Sequence, residues 1–458
     1  MLAKLAALRH SRFARDAAVL QVAGGITSVG NLASTMALAF LLGPQLQGSF
    51  YLAVALYSLA YLIANVGLST VTVSNVAKAV GAGDGKLVVA WLGFMLRASL
   101  LLSAGMLLMA WLALPTVATW LYDDVRVGEW ATLLCLVPVA EIPRMACAAA
   151  LQGTRRMGEL ARLENATEGL RVFFVVCMIL ITGEAIGAVW GTLLASASSS
   201  VMATFLYRRA RADELADAER PVLLPAPREI LGAWRRLPLT RGLLEGVQVG
   251  FLRNIDALLL DVLPMLFMGL FGGAAAAAYF RIAQRFLRMP LMLLQGISRT
   301  AMPAFSGIVG REGLPALRRT FYKASAAGGL MILAVLAVVV PLIPWLTRSF
   351  FPHEYWVEVP RFVNVLAAGF VVTGFSGALE SFYVATGRVP VALRIGAVVG
   401  IPALGLMAVG GWLLGDLGVA LGVTVTLMVG LVHHAYIAWF FRRHLGGGAT
   451  PTPAGAKP

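Results

Sequence analysis

The stretch AAAAAYFRIAQRFLRMPLMLLQGISRTAM, residues 274–302, decides how this chain is read. It is apolar enough to cross a bilayer, yet it carries Arg281, Arg285, Arg288 and Arg299. At 100° per residue the first three fall within an arc of about 60°, and Arg299 returns to the same face. An unbroken helix from Arg281 to Arg299 would rise roughly 27 Å, close to a full hydrocarbon thickness. A guanidinium in lipid costs a few kcal/mol or more, so such a group turns toward a bundle interior or a wet cavity. The ladder is therefore either an anion-friendly path, or a set of arginines paired with buried carboxylates that holds helices together. Pro290 should loosen or bend this helix in mid-membrane.

Composition puts the rest of the chain in the same setting. Hydrophobic residues make up 59%, charged residues 13%, and mean hydropathy is +0.81, which excludes an ordinary soluble domain. Apolar stretches recur from end to end. They predict an all-α polytopic membrane protein with about twelve spans, near 17–42, 46–68, 91–115, 129–151, 167–183, 185–207, 242–269, 275–305, 322–347, 361–386, 392–413 and 415–440. Short Gly/Pro turns join several of them, near 43–47, 182–187, 271–273 and 415–418. Cys135, Cys147 and Cys177 lie in apolar stretches and read as small core residues.

Orientation follows from lysine and arginine placement. With a cytoplasmic N-terminus, 27 of them fall on the inside and only Arg126, Arg348 and Arg361 outside, which sets both termini inside. The same bias explains the net charge of +14 and implies attraction to anionic membrane lipids, not to nucleic acid. The longest polar stretch, 208–241, reads as a cytoplasmic linker between lobes at 1–207 and 242–443. Residues 444–458 read as a disordered cytoplasmic tail.

The two lobes look duplicated and pseudo-symmetric. A shift of 229 residues brings Gly43 onto Gly272, Gly67 onto Gly296 and Gly81 onto Gly310. Further on, Gly153 stands opposite Gly387, and GAVWG at 187–191 resembles GVALG at 418–422. Two six-span units would share one orientation and enclose a site near the midplane.

No phosphate-cradling loop, zinc motif or nucleophile elbow occurs; GAGDGK at 81–86 lacks the required spacing. Neither an enzyme nor ATP-driven transport by this chain alone is expected. Charge inside the spans is the informative feature. Arg253 and Asp256 are spaced i,i+3, as are Glu141 and Arg144, and both read equally well as ion pairs inside the bundle. Asp256, Asp261 and Glu380 could carry a coupling ion or balance charge. On the second span Tyr57, Tyr61 and Asn65 form one stripe, which suits a sugar or fills a helix interface. Gln21, Thr27, Ser28 and Asn31 on the first span could be interhelical glue.

With these features together, the chain resembles the multidrug/oligosaccharidyl-lipid/polysaccharide exporter superfamily, and within it the polysaccharide-transporter branch of O-antigen-type flippases. The clearest stretch is DALLLDVLPMLFMGLFGGAAAAAYFRIAQRFLRMPLMLLQGISRTAMPAFS, 256–306, with LQGTRRMGEL and YVATGRVPVAL in support. The resemblance implies alternating access between two lobes, with Arg253, Arg281, Arg285 and Arg288 in a central cavity. It implies a polyprenyl-pyrophosphate-linked oligosaccharide as substrate, moved from the inner to the outer leaflet of a bacterial cytoplasmic membrane. A coupling proton or sodium ion and a polysaccharide polymerase are the further partners it admits. The competing expectations are a cation-coupled multidrug exporter, which would want an acidic cavity, and a non-transporting subunit of a synthesis complex, with paired arginines and no cavity.

Overall fold

Gly43, at φ 68° and ψ 175°, folds the helical run Arg12–Ala64 back on itself. Only glycine takes that conformation cheaply, so one run supplies two antiparallel spans, 12–42 and 44–64. Across the reversal Gln47 Nε2 donates to Thr35 O at 3.1 Å. Gly273, at φ 78° and ψ 179°, does the same within Leu263–Arg288. There Arg281 reaches Asp261, and Gln284 reaches Leu260 O, across the hairpin. The structure, a computed structural model, describes residues 12–64, 67–216 and 223–445, and every regular element among them is helical. Ten helices are long and apolar enough to cross a membrane. Gly24–Leu62 and Leu258–Arg288 each hold two spans, so the described residues form twelve.

The second span continues after Gly67 as Leu68–Gly81. The third to sixth are Gly85–Tyr122, Val125–Gly153, Met157–Thr182 and Ile186–Ala216. Asp84 and Asp124 cap the third and fourth by accepting from Leu87 N and Arg126 N. The seventh runs from Leu239 to the Gly273 turn. The eighth stops at Arg288 and resumes at Met292, around Pro290. Gly313, at φ 77°, separates eighth from ninth. The last three spans lie within His353–Ala385, Val389–Leu414 and Asp416–Leu445.

The chain reversals expose the duplication directly. Left-handed residues Gly43 and Gly273 are 230 apart, as are Gly83 and Gly313. Arg155 and Gly387 are 232 apart, as are Gly183 and Gly415. The register of the repeat is thus 230–232, and Gly387 is the counterpart of Arg155, not of Gly153 as sequence similarity suggested.

Packing divides the molecule by height. Toward the Gly43 and Gly273 turns, the sparsely charged face, one apolar core draws on both lobes, including Leu52, Leu56, Phe280 and Phe362. Lipid tails are as apolar as leucine, so close packing and polar contacts must hold helices together there. Gly48 supplies the closest approach: a Cβ on it would lie 1.7 Å from Ala274 O. Buried Tyr355 donates to buried Gln47 Oε1 at 2.7 Å in the same layer. Toward the opposite, basic face the core splits. One cluster, around Phe94 and Tyr207, joins the first lobe to the connecting segment and the start of the seventh span, and another, around Phe321 and Phe441, belongs wholly to the second lobe. The lobes share one core at the first face, while at the other only the start of the seventh span packs into the first lobe's cluster.

The segment between the lobes is docked rather than loose where it is described. The sixth span extends to Ala216, past the expected end at 207. Glu214, 2% exposed, then accepts from Leu223 N and Leu224 N and pairs with Arg156 at 2.8 Å. Tyr207 donates to Pro225 O at 2.7 Å, and Arg97 to Trp234 O at 3.3 Å. Glu214→Gln should leave Arg156 without its counter-charge and weaken the seat of residues 223–225. A loss of about 3 kcal/mol is expected, read as a lowered thermal midpoint of the purified protein. An unchanged midpoint would mean that this segment is not held by Glu214.

Candidate functional site

Between the parted lobes lies a cavity of about 2380 Å³, open toward the basic face, where Gly81, Arg155, Arg156 and Glu214 line it. Its deep wall is built by the first, fifth, seventh and eighth spans. Arg281, Arg285 and Arg288 all reach it, because the eighth span is an uninterrupted helix from 274 to 288. The Pro290 break makes Met289–Leu291 a turn, so helical periodicity does not carry the stripe on to Arg299. The side chain of Arg299 lies outside the described residues, as do those of Arg253 and Asp256, and so does Asn65 altogether.

A π-helical turn, Leu258–Val262, prepares the seventh span to face these arginines. Here the Leu263 amide bonds five residues back, to Leu258 O. Leu260 O accepts from Gln284 Nε2 at 3.3 Å and from Arg288 Nη2 at 3.1 Å. Asp261 Oδ1 lies 2.5 Å from Arg288 Nη1 and 3.4 Å from Arg281 Nη1. One carboxylate is shared by two guanidiniums, and part of each remains exposed to the cavity.

Arg285 is held differently. Its Nη1 donates to Asn31 O at 2.7 Å and to Asn31 Oδ1 at 3.0 Å, and its Nε is buried without an acceptor. No carboxylate among the described residues pairs with it. Asn31 Oδ1 also accepts from Arg171 Nη2, so an amide on the first span joins arginines from both lobes. Arg171 pairs with Glu168 at 2.5 Å. Arg281, Arg285 and Arg288 line this wall with Glu164, Glu168 and Asp261, and Arg171 is paired with Glu168, so four guanidiniums stand against three carboxylates among these residues. Counted by formal charge, these groups leave an excess of one positive charge.

Sequence reading missed Glu168 and Arg171. Arg171 is one of the 27 cations counted on the inside, at the start of a span expected near 167–183, but the helix starts at Met157 and carries both residues into the bundle. Conversely, Tyr57 and Tyr61 do not line the large cavity. Their rings lie 5.9 Å apart. Tyr61 borders a small apolar crevice with Ser99 and Pro138 in the first lobe. For Tyr61 this is a contact between helices of the first lobe. Glu141 and Arg144 form the expected pair at 2.6 Å, with Ser196 donating to Glu141. Glu380 is exposed and apart from the cavity lining. Among the described residues no group of His, Cys, Asp and Glu is arranged to hold a metal ion.

Twelve spans in two duplicated lobes around a central cavity are also the fold of solved transporters of the multidrug/oligosaccharidyl-lipid/polysaccharide superfamily. The chain superposes with a TM-score of 0.76 on an inward-facing multidrug resistance MATE family transporter of that superfamily. Identity is 17%, over 92% of this chain and 96% of that one. An outward-facing MATE transporter of the superfamily gives 0.64 at 17% identity, over 93% and 96%. A superfamily transporter from Pyrococcus furiosus, described by the reverse polarity of its binding pocket, gives 0.64 at 16%, over 93% and 94%. The family model for polysaccharide biosynthesis proteins matches residues 13–309, and the chain belongs to that family. No curated protein matches it in sequence.

Proposed function

We propose that this protein is a flippase that carries a polyprenyl-pyrophosphate-linked oligosaccharide across the membrane by alternating access. The observation that carries this reading is Arg285, a guanidinium on the deep cavity wall held by two neutral oxygens and by no described carboxylate. Arginine's planar fork matches phosphate oxygens and stays charged at any working pH. A diphosphate would meet the excess positive charge of the wall, while sugars occupy the volume that opens toward the basic face. Membership of the polysaccharide biosynthesis family supports a glycan cargo. Asp256, Asp261 and Glu380 are the carboxylates for a coupling proton or sodium ion, and Asp261 is the one beside the arginines.

The basic face is taken as cytoplasmic, which puts both termini inside and the loading side at the inner leaflet of a bacterial cytoplasmic membrane. The lobes are taken as 1–207 and 242–443. A cation-exporting role is disfavoured by the positive wall, and a purely structural role by the cavity. The test is Arg281→Ala, Arg285→Ala and Arg288→Ala, singly and together, at matched expression. Lipid-linked sugar should accumulate on the inner leaflet, most in the triple variant. Normal surface glycan from a folded triple variant would sink the proposal.

A further inference from the structure

The duplication provides an internal control for an arginine outside the cavity. The turn joining the fourth and fifth spans recurs between the tenth and eleventh. In the first, Thr154 N bonds Ala150 O and Arg156 N bonds Leu151 O; in the second, Thr386 N bonds Phe382 O and Arg388 N bonds Tyr383 O. Both threonine hydroxyls also bond four residues back. Each pair is 232 residues apart, so Arg156 and Arg388 are the same position of the repeat.

Their surroundings differ in one respect. Glu214 neutralises Arg156 through contacts of 2.8 and 3.1 Å from inside the first lobe. At the repeat's register of 230–232 the counterpart of Glu214 falls at 444–446, which reads His-Leu-Gly. From 417 to 458 the sequence has no Asp or Glu at all. Arg388 donates instead to Tyr436 Oη at 3.0 Å, and its Cζ lies 4.5 Å from the centre of the Phe440 ring. Arg443 shares the helical stripe of Tyr436 and Phe440 and lies 5.3 Å over the ring of Trp439. Aromatic faces fix a guanidinium's plane without cancelling its charge, and leave N–H edges free for an anion.

We propose that Arg388 and Arg443 form a site for a phosphate-bearing anion at the basic end of the second lobe, occupied by the headgroup of an anionic phospholipid. The site lies where spans end, at headgroup height, and exposed Trp439 beside it is the side chain that favours that layer. The lipid supplies from outside the charge that Glu214 supplies from inside the first lobe. This inference does not depend on what the central cavity carries.

Native mass spectrometry of the purified full chain tests it, with phosphatidylglycerol, phosphatidylethanolamine and inorganic phosphate as probes. The wild type should retain phosphatidylglycerol over phosphatidylethanolamine by about tenfold. Arg388→Gln with Arg443→Gln should bring that preference close to one, while Arg348→Gln, on the opposite face, keeps it. His444→Glu removes no arginine but offers an internal carboxylate, and should weaken retention too. If the double variant misfolds, Arg443→Gln alone and His444→Glu decide by the same measure. Undiminished preference in the folded variants, or none in the wild type, would overturn the site. Stripping of the lipid by millimolar inorganic phosphate would overturn the lipid as its occupant and give the site to soluble phosphate.

Discussion

Arg285→Gln is expected to weaken binding of a polyprenyl diphosphate to the purified protein about 10- to 100-fold without unfolding it. A charge-assisted hydrogen bond contributes roughly 1.5–3 kcal/mol, and each 1.4 kcal/mol is tenfold in affinity. Glutamine removes the unpaired charge and, being two bonds shorter, gives up the Nη1 contacts to Asn31, whose Oδ1 keeps Arg171 as a partner. Arg281 and Arg288 share Asp261, so removing either one takes away a charge that is already partly cancelled. Their single substitutions should therefore weaken binding less than Arg285→Gln. Titration calorimetry with a short-chain polyprenyl diphosphate would rank the three. Equal or reversed ranking would show that pairing with Asp261 does not set their worth.

Gly48→Val should force the sparsely charged face open. A Cβ at this position would sit 1.7 Å from Ala274 O and 2.3 Å from Ala274 C, and a backbone cannot yield as a flexible side chain can. The two hairpins that close that face would have to separate. Ser49, 8% exposed beside this contact, gives the readout as Ser49→Cys in a background without Cys135, Cys147 and Cys177. Labelling by a membrane-impermeant maleimide from that face should accelerate about tenfold, the effect of a shift of about 1.4 kcal/mol between the two states. Labelling at the wild-type rate by a folded variant would mean that the overlap is absorbed without opening.

The fold was legible because its signals are redundant. Long apolar runs marked the spans, and glycines at 43, 183, 273 and 415 marked turns that do require left-handed backbone. The eighth-span arginines were legible for a simpler reason, since three charges on one face of an apolar helix leave few places to point. The fifth span was harder. Its charged opening, MGELARLENATEGLR, hides a helix that begins at Met157 and takes Glu168 and Arg171 into the bundle. Periodicity placed Tyr57 and Tyr61 on one face but could not say which neighbour that face meets. Neither lines the cavity, and Tyr61 meets Ser99 and Pro138 of the first lobe's own helices. Asn31 gave no signal beyond being polar. Its weight comes from two arginines that converge on it from positions 171 and 285, which only the tertiary fold brings together.

The turn at 258–262 also ties the site to the chain's length. The five-residue spacing between Leu258 O and the Leu263 amide amounts to one residue inserted into an α-helix. Deleting any single residue there would restore ordinary bonding and rotate one half of the seventh span against the other by about 100°. Asp261 would swing off Arg288, and Leu260 O would be drawn back into its own helix. A relative with every charged side chain intact but one residue fewer at this point would present a different electrostatic wall. Comparing homologues by residue identity alone would overlook that change, whereas counting residues between Ala257 and Pro264 would reveal it.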